Sequence, residues 1–151
     1  MANTFTFFTK VARIEVRNIE FENRSTKNEM DAVWLDSTVT VQAGSFSESF
    51  RVSFTTDDLV SLHEQLKSAL TTLSGTVFCQ ATGGGFSLAI KLDRCGKAAI
   101  TGVAHPNRLR AGILHFRLDT DHFALIRTLR ELEDTLQAFP TKQTNQEQRW
   151  S

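Results

Sequence analysis

Tyrosine is absent from this chain of 151 residues, cysteine and proline occur only twice each, and 17 basic residues balance 17 acidic ones. Each scarcity excludes something. Without Tyr, one kind of general acid is unavailable. Two cysteines, Cys79 and Cys95, cannot build a disulfide framework, and no second Cys/His pair at ligand spacing accompanies them, so no zinc pattern is present. A balanced charge supplies no long-range pull toward nucleic acid or an anionic membrane. No stretch reaches the roughly 18 apolar residues of a membrane helix. The segment from Met1 to Phe8 lacks the basic start and long apolar run of a signal peptide, so the expected location is cytoplasmic. What the chain does have is 12 Phe and 40% hydrophobic residues, enough to fill a core without disulfide or metal staples.

The apolar residues change period along the chain. Ala12, Ile14 and Val16 alternate with Arg13, Glu15 and Arg17, which predicts a half-buried strand. Parity then flips to Ile19 and Phe21, so a bulge or bend is expected at Asn18. After a polar loop from Asn23 to Asp31, Val33, Leu35, Val39 and Val41 resume the alternation as far as Ala43-Gly44-Ser45. Phe46, Phe50, Val52 and Phe54 answer it as the second strand of a hairpin. At Thr55-Thr56-Asp57-Asp58 the period becomes helical, with Leu59, Leu62, Leu66, Ala69, Leu70 and Leu73 on one face and Gly75 as the terminator. Further strands are expected over Thr76–Ala81, Phe86–Leu92, Ala98–Ala104 and Leu109–Leu118, separated by turn compositions. A second helix is expected from Asp119-Thr120-Asp121, with Phe123, Ile126, Leu129, Leu132 and Leu136 inward and Pro140 as its stop.

Aligned at an offset of 64, Phe54-Thr55-Thr56-Asp57-Asp58-Leu59 meets Leu118-Asp119-Thr120-Asp121-His122-Phe123. Strands followed by a helix, done twice, predict an α+β domain. Its plan is a bent antiparallel sheet of about seven or eight strands covered by two helices, in two pseudo-repeats. One domain is expected over residues 1–139, with a polar, mobile tail over 140–151.

Few constellations offer chemistry. Gly83-Gly84-Gly85 lacks the Gly-Lys-Ser/Thr and helix of a phosphate loop and reads as a hairpin turn. His115, Asp119, Asp121 and His122 are close in sequence, but strand and helix geometry point them in different directions, which favours a helix cap with two ordinary histidines over a metal site. Cys95 lies between Arg94 and Lys97, neighbours that can activate a thiolate, yet no His is placed as its base. No catalytic, cofactor-binding or metal-binding residue is expected.

Charge is distributed unevenly. Residues 1–90 carry seven basic and ten acidic residues, and residues 91–151 carry ten and seven. The acidic bias concentrates near Glu20, Glu22, Glu29 and Asp31, next to Trp34, whose place between Val33 and Leu35 turns it away from their core. Two readings stand. One is a solvated strand face and loop with Trp34 covering a small local cluster. The other is a partner-binding patch in which Trp34 is the anchor and the acids form a charged rim.

The segments Glu15-Val16-Arg17-Asn18-Ile19-Glu20-Phe21-Glu22-Asn23-Arg24, Trp34-Leu35-Asp36 and Phe46-Ser47-Glu48-Ser49-Phe50-Arg51-Val52-Ser53-Phe54-Thr55-Thr56-Asp57 together resemble the WapI-type immunity proteins. The likeness extends through Leu118-Asp119-Thr120-Asp121 and the closing helix, about residues 12 to 139. The resemblance implies a bacterial immunity protein, an antitoxin that binds the C-terminal toxic domain of a cognate polymorphic or contact-dependent toxin and inhibits it non-covalently. The implied partner is therefore a protein, with no nucleic acid, membrane or cofactor. The triple-Gly turn and the polar tail depart from that pattern. The competing readings are a small-molecule-binding or enzymatic domain using the concave sheet face, and a structural subunit of a larger assembly.

Overall fold

Phe5 and Phe7 are buried while Thr6 and Phe8 are only half-buried, and this two-residue period makes a first short strand, β1 (Phe5–Phe8), that the sequence reading did not assign. The structure is a computed structural model and describes residues 3–21, 33–105 and 112–138. The first half continues with β2 (Ala12–Phe21), β3 (Trp34–Ala43), β4 (Phe46–Thr55) and the helix α1 (Thr56–Thr72). The second half repeats the plan with β5 (Gly75–Gln80), β6 (Phe86–Leu92), β7 (Lys97–Ala104), β8 (Leu114–Asp121) and α2 (His122–Ala138).

The α+β class, the two helices and the paired halves are as expected. Among the described residues the strands lie in two antiparallel sheets of four, in the orders β1-β2-β3-β4 and β5-β6-β7-β8, where one bent sheet was expected. Each half ends in a helix, so β4 leads into α1 without pairing with β5. The inward faces of both sheets share one core with the helices. Phe86 of β6 joins the halves, its ring centroid 6.2 Å from Phe50, 6.1 Å from Phe54 and 6.2 Å from Phe116. The bulge expected near Asn18 is present: pairing of β2 with β3 shifts register between Arg17 and Glu20, which brings both Val16 and Ile19 into the core.

Both helices begin on capping side chains. Thr55 Oγ1 accepts the Asp58 N–H at 3.1 Å while an Asp58 carboxylate oxygen accepts the Thr55 N–H at 2.9 Å, a reciprocal capping box. Asp58 also receives the Thr82 N–H and hydroxyl at 2.9 and 2.7 Å, fastening α1 to the turn after β5. In the second half Asp121 accepts the Ala124 N–H at 3.0 Å. Helix α2 thus begins two residues later than the sequence reading placed it, because β8 keeps its ladder and the His122 N–H closes on Gly96 O at 2.7 Å. Aligning the caps, Thr55 with Asp121, gives an offset of 66. The buried residues Leu59, Leu62, Leu66 and Ala69 of α1 then fall on Leu125, Thr128, Leu132 and Thr135 of α2, all four of them buried. Phe123, expected inside, is 70% exposed for the same reason.

Two other boundaries differ. Strand β8 starts at Leu114, and the expected Leu109 start lies outside the described residues. Helix α1 is ended by Leu73 in the left-handed region, with φ of 50°, and Gly75, also at positive φ, opens β5. The polar tail from residue 140 falls outside the described residues.

Each helix also closes a sheet edge. On α1, Gln65 donates from Nε2 to the Phe78 carbonyl at 2.9 Å and accepts the Phe78 N–H on Oε1 at 3.0 Å, so one amide satisfies both outward backbone groups of a residue in β5. On α2, Glu131 accepts the Thr6 N–H at 2.9 Å and the Thr128 hydroxyl donates to the Thr6 carbonyl at 2.6 Å, which does the same for β1. Thr120 adds a bond to the Phe8 carbonyl at 2.9 Å. An uncovered strand edge is a template for unwanted pairing, and these side chains remove two such edges.

Candidate functional site

Of the partner-binding residues expected from sequence, Glu20 and Trp34 map onto the outward face of the first sheet. Because side chains alternate along β3, Leu35, Ser37, Val39 and Val41 are buried, while Trp34, Asp36, Thr38, Thr40 and Gln42 face the other way. Glu20 is exposed on β2 directly across from Asp36. Trp34 is half-buried and engaged, not a free exposed ring, and it pairs with Thr55 at the start of the β3–β4 ladder. Glu22, Glu29 and Asp31 lie outside the described residues. The structure therefore places Glu20 and Trp34 on one sheet face, at neighbouring strand ends, and leaves the other three unplaced.

This face carries mixed charge. Arg51 on β4 reaches Asp36 at 3.3 Å, and Arg17 lies 3.6 Å from Glu15. A polar hollow of about 480 Å³ opens here, lined by Asn3, Thr4, Ile19, Glu20, Ser37, Thr38 and Arg51. Asn3 Oδ1 and Arg17 Nε are buried without hydrogen-bond partners among the described residues. Buried polar atoms of this kind each cost about 1–3 kcal/mol, so water or a partner group that reaches them stabilises the site.

The second sheet has an outward face of different character, which no described element covers. Phe78 of β5 is 64% exposed and stands beside Ala89 of β6, with Ser87, Thr101 and Val103 continuing a shallow trough of about 530 Å³ toward His115 of β8. The parity of Thr76, Phe78 and Gln80 against buried Val77 and Cys79 already turns Phe78 outward. The sequence reading assigned that strand without using its parity. The backbone beneath Phe78 is held by Gln65, so the ring is carried on a fixed edge.

The residues weighed for catalysis are dispersed. Cys79 is buried in β5, and burial, assisted by the charge of Asp58, pushes its thiol up to about 12, far from a nucleophilic thiolate. Cys95 is exposed in the β6–β7 turn. His63 pairs with Glu133 at 3.0 Å between the helices, and His122 packs its ring on Phe123 at 4.1 Å and against Gly96. Among the described residues no three His, Cys, Asp or Glu side chains are grouped to hold a metal. Gly84 and Gly85 take φ of 84° and 83°, as the hairpin turn between β5 and β6 requires. No described helix is long and apolar enough to cross a membrane.

No curated protein matches the chain. The sequence profile of the immunity protein WapI-like family matches residues 8–140, which takes in every described strand and helix except the first three residues of β1. The chain, with its two strand-and-helix halves and a mixed-charge sheet face flanked by a polar hollow, belongs to the WapI-like immunity protein family.

Proposed function

We propose that this protein is a cytoplasmic, non-enzymatic antitoxin: it binds the C-terminal toxic domain of a cognate bacterial polymorphic toxin and blocks it by non-covalent contact. The family match over residues 8–140 carries this reading. Half-buried Trp34 with exposed Glu20 on the same sheet face supports it, since a protein interface needs a partly desolvated anchor with a polar rim. The contact region is centred on Glu20 and Trp34 on the first sheet, with Glu22, Glu29 and Asp31 as its charged rim.

Co-expression with the toxin domain encoded beside this chain is expected to restore growth, and the two proteins are expected to co-purify. A toxin that kills equally well in the presence of this protein refutes the reading for that pair. Trp34→Ala is expected to speed dissociation by an amount worth about 2 kcal/mol if the ring anchors the interface. Glu20→Lys is expected to slow association with a basic toxin face.

A second reading, binding of a small apolar ligand, is favoured by one feature, the trough around Phe78. Protection that survives Phe78→Ala in a folded variant separates the antitoxin function from that trough.

A further inference from the structure

Strand edges are distributed unequally in this molecule. The outward backbone groups of Thr6 in β1 and Phe78 in β5 are taken by helix side chains. The other two edge strands are β4 and β8, and among the described residues no helix side chain bonds the backbone of β4 from Ser47 to Arg51. In β4 the direction of the backbone groups follows from two bonds. The Ser53 carbonyl accepts the Gly83 N–H at 3.1 Å, and the Thr55 N–H goes to Asp58, so odd-numbered residues point away from β3. Pairing of β3 with β4 is regular over all ten residues, which carries the same parity to Ser47, Ser49 and Arg51. All three are exposed, and none of their N–H or C=O groups has a partner among the described residues.

The two open edges are not equivalent. By the same argument from the His122 N–H on Gly96, the outward residues of β8 are His115, Arg117 and Asp119, and the exposed charged side chains of Arg117 and Asp119 guard that edge. The outward residues of β4 are two serines and Arg51, without proline, lysine or bulge. At its open end Phe46 is 46% exposed on the same side of the strand as buried Phe50 and Val52. A long, regular edge with small side chains and an unburied aromatic is suited to accept another strand.

We propose that the β4 edge from Ser47 to Arg51 receives an extended segment of the partner protein as an added strand of the first sheet. This rests on the antitoxin reading and specifies how that partner is held. The segment carries apolar residues at alternate positions to cover Phe46 and Phe50, a basic residue between them opposite Glu48, and an acidic residue on the other face near Arg51. Glu48 makes no ion pair among the described residues, and the Arg51 side chain is 70% exposed although it touches Asp36. A second copy of this chain is a poor occupant. Antiparallel pairing of β4 with itself, in the registers centred near Ser49, sets Glu48 against Phe50, Val52 or the Glu48 of the other copy, leaving a carboxylate desolvated or repelled.

The test uses the full chain and the toxin domain encoded beside it. Ser49→Pro removes the outward N–H at a position where an edge strand tolerates proline. Ser49→Ala removes the same hydroxyl, and its bond to Thr40 at 2.8 Å, but keeps the N–H. Binding by the proline variant is expected to weaken about 10- to 100-fold, with the alanine variant close to the unaltered chain. Equal binding by a folded proline variant overturns the edge proposal while leaving the antitoxin reading standing, whereas failure of the unaltered chain to bind refutes that reading itself. A chain that sediments as a dimer, made monomeric by Ser49→Pro with toxin binding unchanged, assigns the edge to a second copy and also overturns the proposal. Should the proline variant not fold, amide exchange of Ser47, Ser49 and Arg51 in the unaltered chain decides: slowing on toxin binding supports the proposal and no change overturns it.

Discussion

Gln65 on α1 and Glu131 on α2 occupy corresponding positions at the 66-residue offset, and both hold the outward backbone of an edge strand, but they do so with different chemistry. An amide donates and accepts, so Gln65 alone satisfies the N–H and the carbonyl of Phe78. An ionised carboxylate only accepts, so α2 needs the Thr128 hydroxyl to donate to the Thr6 carbonyl while Glu131 takes the N–H. Thr128 stands where α1 has Leu62, and it is fully buried. The second half has thus exchanged one apolar contact for a polar clamp that also contains a titratable group. In addition, each helix braces the edge of the other half's sheet, α1 on β5 and α2 on β1. This reciprocal bracing makes the halves mutually dependent.

Core truncation at matched positions strains that dependence most. Leu66 and Leu132 correspond and are both fully buried. Leu66→Ala and Leu132→Ala are each expected to cost about 2–5 kcal/mol and to shift one common unfolding transition in urea. A separate early transition confined to one half, followed by far-UV and Trp fluorescence signals, breaks the account of interlocked halves. Next are the clamps. Thr128→Val leaves the Thr6 carbonyl without its buried donor and is expected to cost about 1–3 kcal/mol, whereas Gln65→Ala, at an exposed edge, is expected to cost about 0.5–1.5 kcal/mol. Equal losses, measured by the same denaturation, dissolve the distinction between a buried and an exposed clamp.

The smallest effect is pH dependence. Burial raises the Glu131 carboxyl above its ordinary value of 4.5, Glu15 and Asp134 add to this, and the Thr6 N–H and Arg127 oppose it. Between the ordinary value and the raised one, the folded chain binds more protons than the unfolded chain. This group's contribution is therefore most favourable below 4.5 and declines as pH rises through the raised folded value. Glu131→Gln keeps an acceptor oxygen for Thr6 and is expected to remove that decline, seen as a flatter stability profile from pH 4 upward. Gln65→Leu, lacking a titratable group at either stage, is expected to leave the slope of the profile as it is.

Much of the fold was legible because alternation along β2, β3 and β4 is regular and the first helix announces itself with a capping box. The start of α2 was misread by two residues because Asp119, Thr120 and Asp121 are all good caps. The choice among them is made by a long-range bond, the His122 N–H to Gly96, which no local pattern reveals. Phe123 was placed inside as a consequence, and the true buried face includes two threonines that a search for apolar residues passes over. Strand β1 was missed because four residues are too short a run to separate from an apolar terminus. Its place is set by pairing with β2 and by the α2 clamp, both distant in sequence. At the candidate site, parity correctly turned Trp34 away from Leu35, but its half-burial depends on neighbours brought by folding. The open edge of β4 was invisible for the same reason, since a strand is at an edge only by virtue of what fails to pair with it.

Amide hydrogen exchange, measured residue by residue on the free chain and on its complex with the toxin domain, tests most directly the claim that the helices close β1 and β5 and leave β4 for the partner. The account predicts slow exchange at Thr6 and Phe78 in both states, and fast exchange at Ser47, Ser49 and Arg51 in the free chain that becomes slow in the complex. Slow exchange at those three residues in the free chain, or fast exchange that persists in a saturated complex, contradicts it.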